Sequence, residues 1–452
     1  MKKNLFYLFA LICSMSLFTA CSDDDDPAWT KIPSQTISAE NLSLTTNTQS
    51  NPNASVKLAM SDEQNGILTL SKAIRGLDEV EVNVAVTEQV DGSFKFQGEK
   101  NVETTTKAVA DLVSSTNVKV EGTITLDGKA EIAVTTAATG NLVKKWMLCD
   151  AITFNDKSKI EHAPFRLNWV SPYKDDKGQN EGLAADNIQH MGSIVISGMM
   201  AKLLKDVEFK ANGSIVANYA KDVDINQEDI ISGIFGGEGL PSTDDVTWLT
   251  SPANLAYWYV GGDYVYVLLD IPAIVTEAMK DVEDSSMTPE SILQIVEMVK
   301  GMSGAQIKEL LGGLLSSMGN DNVLSKLDLT KISDNDIEKL IGYVVNGFPL
   351  SYQLSEVTLK NGSKVDDVHI YLDKDLFDIF MPALYPMLPD LDVMVKNMTI
   401  EMFGQPIPVW GLVEGLTGLK SLTELEGVWK VTTLFNVGLD LATGSLKVEE
   451  KE

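Results

Sequence analysis

Short alternating strands separated by tight turns dominate the first third of this chain. Residues 80–86, 118–124 and 130–134 alternate apolar and polar side chains with a period of two. Turn pairs occur between such segments, at Asn65-Gly66, Asp91-Gly92 and Asp127-Gly128. The Asp-Gly pairs suit hairpin turns because both positions tolerate positive φ. No helical pattern interrupts this series, so residues 41–160 are predicted to form an antiparallel all-β meander, as a barrel or a sandwich.

The remainder, residues 161–452, mixes helical and strand patterns and is predicted to form a larger α+β domain. Hairpin signals recur at Asn212-Gly213, Gly261-Gly262 and Asn361-Gly362, and their recurrence hints at a repeated helix-and-hairpin unit. A helical segment is predicted over 274–346, where Ser303 and Gln306 have the spacing of a capping box. The predicted fold class is therefore α+β and multidomain, which suits a chain of 452 residues.

The first 20 residues have the pattern of a processing signal. Two lysines precede an apolar run over 5–18, which is short for a membrane span and suits a signal peptide. Thr19 and Ala20 then precede Cys21, as in the lipobox of bacterial lipoproteins, although Phe18 stands where leucine is usual. We predict cleavage after residue 20 and lipidation of Cys21, which anchors a chain without spanning the membrane. The alternative is an ordinary secretory signal followed by a chance cysteine.

An acidic tether is predicted over 21–40. It begins with a run of like charge, Ser22, Asp23, Asp24, Asp25 and Asp26. This run resembles the export tag that sends Bacteroides-type lipoproteins to the outer face of the outer membrane. A plain spacer or a loose Ca²⁺ site is the alternative, but a flexible run lacks the preorganised cage that calcium affinity needs. The predicted location is the outer membrane, lipid-anchored and exposed at the cell surface.

Charge excludes one class of partner. The chain has 36 basic and 64 acidic residues, a formal net charge of -28. Nucleic acid is excluded as a partner because phosphate binding needs a basic patch. Hydrophobic residues make up 44% of the chain, so the body has the composition of a globular protein. The membrane, reached through the N-terminal lipid, and a small lipid-like or glycan ligand are the predicted partners.

Catalytic and metal-binding motifs are not found in the sequence. Cys149, the cysteine left after signal cleavage and acylation, is predicted to be a small buried hydrophobe. His162, His190 and His369 lack the spacing of helical metal ligands. Paired carboxylates can make a glycosidase, but sequence alone does not select two among 64 acids. We therefore predict no cofactor, no metal and no enzymatic activity.

Two segments are candidates for ligand binding. The first is an aromatic cluster made of Trp248, Tyr257, Trp258, Tyr259, Tyr264 and Tyr266. Such rings either pack as core with a rim of hydroxyls, which is the commoner outcome, or form a stacking platform for a sugar or an apolar ligand. The second candidate is the methionine-bearing helical segment, with Met287, Met298, Met302 and Met318. These helices either belong to the core or cover a cavity.

The chain resembles a family of Bacteroides-type surface lipoproteins. The resemblance rests on Cys21 with its aspartate run, the early hairpin meander, and the segments 251–255 and 257–269. It implies a lipocalin-like (calycin) barrel at the N-terminus and a ligand-binding or structural role, with no catalytic residues. The leading prediction is non-enzymatic binding of a small apolar or amphipathic ligand, inside the barrel or under the 274–346 helices. The alternative is a glycan-binding accessory protein of a nutrient-uptake system.

Overall fold

The computed structural model describes residues 27–156, 159–175, 177–222, 240–279, 294, 298–317, 323–402 and 405–447. The predicted signal peptide, Cys21, the acidic run 22–26, Met287 and Met318 lie outside these ranges. The chain divides into two compact units. Unit 1 comprises Met1–Val102 and Asn117–Ala137, and unit 2 comprises Glu103–Thr116 and Ala138–Glu452. The division therefore lies before residue 160, and the segment Glu103–Thr116 belongs to unit 2.

Unit 1 is built on a curled sheet of nine strands in the order β1-β4-β5-β6-β7-β8-β9-β2-β3. The strands are β1 Ile37–Ser38, β2 Leu42–Thr46, β3 Gln49–Ser50, β4 Ser55–Met60, β5 Asn65–Ile74, β6 Leu77–Glu88, β7 Phe94–Glu103, β8 Ser115–Ile124 and β9 Ala130–Thr139. Strand β2 joins β9 in parallel. Short 3-10 turns, Ala28–Lys31 and Ala39–Asn41, precede β1 and β2.

The period-two pattern predicts the buried face of this sheet correctly. In β6, Val80, Val82, Val84 and Val86 are buried, while the side chains between them are exposed. Gly92 and Gly128 occupy turns with positive φ, as their Asp-Gly pairs predict. The Asn65-Gly66 pair is different, because both residues lie in β5. The preceding turn is closed by the Asp62 carboxylate, which accepts from the backbone N–H groups of Gln64 and Asn65.

Unit 2 combines strands and helices. Its strands are β10 Lys145–Leu148, β11 Thr153–Phe154, β12 Ile160–His162, β13 Phe165–Val170, β14 Leu204–Phe209, β15 Ser214–Ala220, β16 Trp248–Thr250, β17 Ala256–Gly261, β18 Tyr264–Leu269, β19 Phe348–Thr358, β20 Lys364–Asp373, β21 Thr399–Met402, β22 Gln405–Pro408 and β23 Leu434–Ala442. Its helices are α1 Lys107–Ala110, α2 Leu183–Leu203, α3 Ile271–Ala278, α4 Gly304–Ser317, α5 Asp334–Asn346, α6 Lys374–Leu384, α7 Leu388–Asn397, α8 Val409–Thr417 and α9 Leu425–Lys430.

A closed antiparallel barrel of eight strands lies in unit 2. Its order is β10-β14-β15-β17-β18-β19-β20-β23, and β23 pairs back onto β10. The predicted N-terminal barrel is thus not found in unit 1, where the path of described strands ends in the two-residue strands β1 and β3. Local periodicity cannot reveal closure, because the ring is completed by strands at opposite ends of unit 2. The fold is α+β, with one closed barrel and one separate curled sheet.

The barrel interior is filled with side chains. Trp146, Phe209, Trp258, Val265 and Val368 are buried in one apolar cluster. The two indole N–H groups donate to backbone oxygens, from Trp146 to Leu142 at 3.1 Å and from Trp258 to Lys210 at 3.0 Å. An eight-stranded barrel is just wide enough for its own side chains to fill it. This barrel is therefore a packed core.

Helix α2 protects the free edge of β13. Gln189, Ser193 and Ser197, spaced four residues apart, accept from the backbone N–H groups of successive outward-facing residues of the strand. The hydroxyls of Ser193 and Ser197 also donate to the carbonyls of Leu167 and Phe165. An unpaired strand edge invites pairing with another chain. The polar side chains of α2 supply this edge with hydrogen-bond partners from within the molecule.

The helical segment between the second and third hairpins contains α3, α4 and α5, with 280–293, 295–297 and 318–322 outside the described residues. The capping box at the start of α4 is confirmed, since Gln306 Oε1 accepts from Ser303 N at 2.9 Å and Ser303 Oγ accepts from Gln306 N at 3.4 Å. No helix in the described part of the chain is long and apolar enough to cross a membrane.

Candidate functional site

The barrel has a branch point at Asp440. Along β23, residues up to Leu439 pair with β13, and residues from Leu441 onward pair with β10. In the sequence, the segment between β10 and β13 forms the separate β11–β12 hairpin. Asp440 sits where the partner changes, and it is 0% exposed. Its backbone carbonyl accepts from Cys149 N at 2.9 Å, just after β10 ends.

The Asp440 carboxylate is surrounded by donors. Oδ2 accepts from the backbone N–H of Ala163 at 3.0 Å. Oδ1 lies 2.6 Å from His369 Nδ1 and 3.2 Å from Arg166 Nη2. These two are ion-pair contacts, and neither has the angles of a hydrogen bond. His369 lies directly opposite Asp440 in the β20–β23 ladder, so strand register brings the pair together.

A second carboxylate, Asp367, lies two residues before His369 and so on the same face of β20. It is 2% exposed. Its Oδ2 accepts from Ser355 Oγ at 3.0 Å and lies 3.9 Å from His162 Nε2, while Oδ1 has no hydrogen-bond partner among the described residues. Burial, and next the Asp440 carboxylate, raise the pKa of Asp367 to about 6.

A pocket of about 360 Å³ opens beside Asp367. Its walls come from β12, β13, β19 and β20 and from the residues that border them. They are lined by Glu161, His162, Arg166, Gln353, Ser355, Glu356, Val357, Thr358 and Asp367. Most of these side chains are polar, so the pocket suits a ligand that exchanges hydrogen bonds with its walls.

Arg166 links the pocket to the buried carboxylate behind it. Its Nη1 donates to the backbone carbonyl of Glu161, and its Nη2 faces Asp440. Its Nε is buried without a hydrogen-bond partner among the described residues. One guanidinium thus accompanies two buried carboxylates, Asp367 and Asp440. The histidines add positive charge only when they are protonated.

The structure divides the predicted aromatic cluster. Trp258 points into the barrel, where its ring packs edge-on against Phe209. Tyr259 and Tyr266 are opposed across β17 and β18 and stack at 4.9 Å with 5° between their planes. Tyr264, which is 40% exposed, meets Tyr266 edge-on at 6.3 Å.

The other two predicted residues lie at other positions of the ladders. Tyr257 lies opposite Leu268 in the β17–β18 ladder, and Trp248 lies opposite Ala220 at the end of β15. Three of the six residues, Tyr259, Tyr264 and Tyr266, therefore form a contiguous aromatic wall. We keep that name for these three rings.

Cys149 is buried, as the sequence indicates. Burial raises the pKa of its thiol far above the usual range. Among the described residues, no group of three or more His, Cys, Asp or Glu side chains is arranged to hold a metal ion. His190 instead packs against the Phe154 ring at 5.7 Å.

Sequence reasoning considered His162 and His369 but missed Arg166, Ser355, Asp367 and Asp440. The available signal is the presence of charged residues within strongly apolar strands, at 365–371 and 437–442. A buried charge is costly unless it is paired, so such positions mark either an internal ion pair or a site. Which acids converge depends on strand order, which the local pattern does not contain.

Comparison of the chain with protein-family models, curated proteins and solved structures found no match. The role of each residue in this pocket is therefore argued from geometry and charge alone.

Proposed function

We propose that this chain is a lipid-anchored surface protein that binds a small polar ligand in the pocket beside Asp367. One observation carries the proposal. Asp367 lies at the pocket wall with a buried oxygen, Oδ1, that has no hydrogen-bond partner among the described residues. A buried acceptor without a partner costs about 1–3 kcal/mol. A ligand donor that reaches this oxygen recovers that free energy and thereby gains affinity.

The ligand class differs from the apolar one expected at first, because the geometry favours polar recognition. The barrel interior is filled by its own side chains. Four open pockets have volumes between about 300 and 510 Å³, and all four have polar or charged residues in their walls. None of these four is a dry chamber lined by leucine and methionine, which is what a greasy ligand requires.

Binding without turnover is the activity that the carboxylates favour. A glycosidase needs a pair of carboxyl groups that flank the scissile bond. Asp440, the carboxylate next to Asp367, is fully buried and enclosed by Ala163 N, His369 and Arg166. Asp440 does not line the pocket, and its negative charge raises the pKa of Asp367. The buried Cys149 thiol is equally unsuited to act as a nucleophile.

The surface location is part of the same proposal. Its basis is the predicted lipidation of Cys21 and the predicted export tag at Ser22, Asp23, Asp24, Asp25 and Asp26. Of the predicted 21–40 tether, Ala28–Lys31 and Ile37–Ser38 form a 3-10 turn and strand β1, and Ile32 and Ile37 are buried in the core of unit 1. The spacer of this proposal is therefore shortened to residues 21–27. Radiolabelled palmitate incorporation into the wild-type chain, and its loss in Cys21→Ser, tests the anchor.

The binding proposal is tested on a soluble form that begins at residue 22. Native mass spectrometry of the freshly purified protein is expected to reveal a small polar molecule that co-purifies. Asp367→Asn is expected to lose it. Asp366→Asn is the matched control, because Asp366 lies next in the strand, faces away and pairs with Lys144 at 2.9 Å. Equal retention by all three proteins removes Asp367 from the binding site.

A second candidate function, glycan binding, is favoured by the aromatic wall. The Tyr259–Tyr266 stack and the exposed Tyr264 surround Gly261, where an added Cβ would lie 3.3 Å from the Tyr266 ring. The missing side chain leaves part of that ring uncovered, as stacking of a sugar requires. On a glycan array, Tyr264→Ala is expected to reduce any signal by tenfold or more, with Asp367→Asn unchanged. The reverse result assigns glycan binding to the pocket.

A further inference from the structure

We infer that the ligand of the Asp367 pocket carries an ammonium group together with an oxygen acceptor, as an amino sugar does. This inference rests on the proposed binding function and narrows it to one chemical class. It follows from the charge balance behind the pocket and from Asp367 Oδ1 and Arg166 Nε, two of the five buried polar atoms that have no hydrogen-bond partner among the described residues.

The charge balance calls for a cation. Behind and beside the pocket lie the Asp367 and Asp440 carboxylates, both almost fully buried. Arg166 is in contact with Asp440, since its Nη2 is 3.2 Å from Asp440 Oδ1, and its charge also lowers the pKa of Asp367. One negative charge therefore has no fixed positive partner within the cluster. Buried charges persist only when they are paired, so a ligand that joins this cluster is expected to bring positive charge.

Asp367 is the carboxylate that a cation can reach. Neither Asp440 Oδ1 nor Asp367 Oδ1 has a hydrogen bond among the described residues, but Asp440 Oδ1 contacts His369 Nδ1 and Arg166 Nη2 and Asp440 does not line the pocket, whereas Asp367 does. His162 is a weak substitute, because its Nε2 is 3.9 Å from Asp367 Oδ2 and its charge depends on protonation. An ammonium group supplies both the charge and up to three donors.

The oxygen acceptor follows from Arg166. Its Nε is a buried donor without a partner in the described chain, on a residue that lines the same pocket. Glu161 and Glu356 add two more carboxylates to the walls, although Lys364 holds Glu356 at 2.5 Å. The pocket thus offers acceptors for a cation and one cationic donor for a neutral oxygen. A ligand anion would meet three wall carboxylates and is disfavoured.

Binding of this class is expected to depend on pH. Seven groups face the site from the elements packed around it: Glu161, His162, Arg166, Glu356, Asp367, His369 and Asp440. Asp367 must be ionised to attract an ammonium group, and burial holds its pKa at about 6. About a tenth of the molecules have Asp367 ionised at pH 5, so affinity is expected to be about tenfold weaker there than at pH 7.

The test uses three sugars that differ at one substituent. Isothermal titration of the soluble chain with glucosamine, N-acetylglucosamine and glucose compares an ammonium, a neutral amide and a hydroxyl on the same ring. We expect glucosamine to bind at least tenfold more tightly than the other two at pH 7. Asp367→Asn is expected to abolish this preference, and the Asp366→Asn control is expected to keep it.

A second variant tests the inference without removing the Asp367 carboxylate. Ser355 Oγ donates to Asp367 Oδ2 and lowers its pKa. Ser355→Ala is therefore expected to move the midpoint of the pH dependence of glucosamine binding upward. An unmoved midpoint contradicts the role of Asp367.

The outcomes separate the two proposals. Equal affinity for glucosamine and glucose, lost in Asp367→Asn, overturns the ammonium inference and leaves polar binding in this pocket intact. No binding of glucosamine at millimolar concentration also overturns the inference. Whether the pocket binds a polar ligand is then decided by native mass spectrometry of the co-purifying molecule alone.

Discussion

Two aspartates on one face of the β20–β23 pair have different environments and therefore different roles. Asp440 has a backbone donor and two cationic or potentially cationic neighbours, so its charge is compensated inside the fold. Asp367 has one serine donor and a distant histidine. Burial without full compensation raises a carboxyl pKa, and this is common at functional sites. The first aspartate is a structural group, and the second is the candidate ligand-binding group.

Replacing Asp367 by Asn is expected to stabilise the protein at pH 7. The folded-state pKa of about 6 exceeds the unfolded value of 3.8, so folding favours the protonated form. The stability from this group is fully present below pH 3.8 and is lost as pH rises through 6. Asn avoids this loss, so its free energy of unfolding at pH 7 should exceed that of wild type by about 1–3 kcal/mol. Urea unfolding at pH 7 and pH 4 measures both values.

The two unfolding curves are expected to approach each other at pH 4, where Asp367 is almost fully protonated in the folded state and about 40% protonated in the unfolded state. Asp366→Asn serves again as the control and should show no such pH-dependent gain. A wild type that equals or exceeds Asp367→Asn at pH 7 contradicts the raised pKa.

Removing Asp440 is expected to have the opposite effect. Asp440→Ala leaves the Ala163 N–H and the Arg166 guanidinium without their acceptor in a buried position. Breaking one side of a buried ion pair costs about 3–5 kcal/mol. Asp440→Asn keeps one acceptor oxygen and should lose less. Urea denaturation at pH 7 ranks the three proteins, and a loss below about 1 kcal/mol in Asp440→Ala speaks against a structural role.

At the scale of elements, the contact between α2 and β13 depends on a match between the spacing of residues along a helix and their spacing along a strand. Residues four apart on one helix face meet residues two apart on one strand edge, because about 6 Å separates both sets. Gln189, Ser193 and Ser197 therefore follow the strand from Trp169 to Phe165. The apolar residues of this segment suit a helix, but the role of its polar side chains becomes apparent only beside the strand.

Ser193→Ala is expected to destabilise unit 2 by about 1–3 kcal/mol. The substitution leaves the Leu167 N–H, which now donates to Ser193 Oγ at 3.0 Å, without an acceptor. Ser316→Ala is the matched control, because its hydroxyl is exposed and donates only within its own helix, to Gly312 O. Thermal unfolding followed by circular dichroism compares the two. Equal melting temperatures for Ser193→Ala and the control contradict the edge-capping role.

At the scale of the whole molecule, unit 2 receives a segment from within the sequence of unit 1. Glu103–Thr116 carries Leu112 and Val113 into the apolar cluster of the barrel. Ser114 N donates to Thr139 O at 2.8 Å, which places the two segments of unit 2 side by side. A fragment that begins after the predicted boundary at residue 160 lacks these residues, and it also lacks β10 with Trp146.

Unit 2 is expected to fold alone when residues 103–116 are joined to 138–447 by a short glycine-serine linker. A fragment of 138–447 lacks the buried Leu112 and Val113 and should lose about 3–6 kcal/mol, since each such side chain contributes about 1.5–3 kcal/mol. A fragment of 161–447 lacks the barrel-closing strand and should not unfold cooperatively. Urea unfolding tests all three, and equal stability of the last two contradicts the assigned boundary.

Predictions from the sequence agree with the structure where the interacting residues are close together in the sequence, and they fail where those residues are far apart. The buried valines of β6, the Asp-Gly turns and the Ser303 capping box depend on residues a few positions apart, and all three were predicted. The site depends on His162, Arg166, Asp367 and Asp440, which lie up to 278 positions apart. Their proximity comes from strand order and register, which periodicity does not encode.

The sequence by itself determined the strand periods, the tight turns, the helix starts and the α+β class, because each reflects local backbone preference and burial of one face. It also carried the prediction of a lipid anchor at Cys21. Only the tertiary structure decided which unit contains the barrel, that its interior is packed, and which acids meet. The physical reason is that closing the ring buries Asp440 against Arg166 and His369, and this compensates Asp440 but not Asp367.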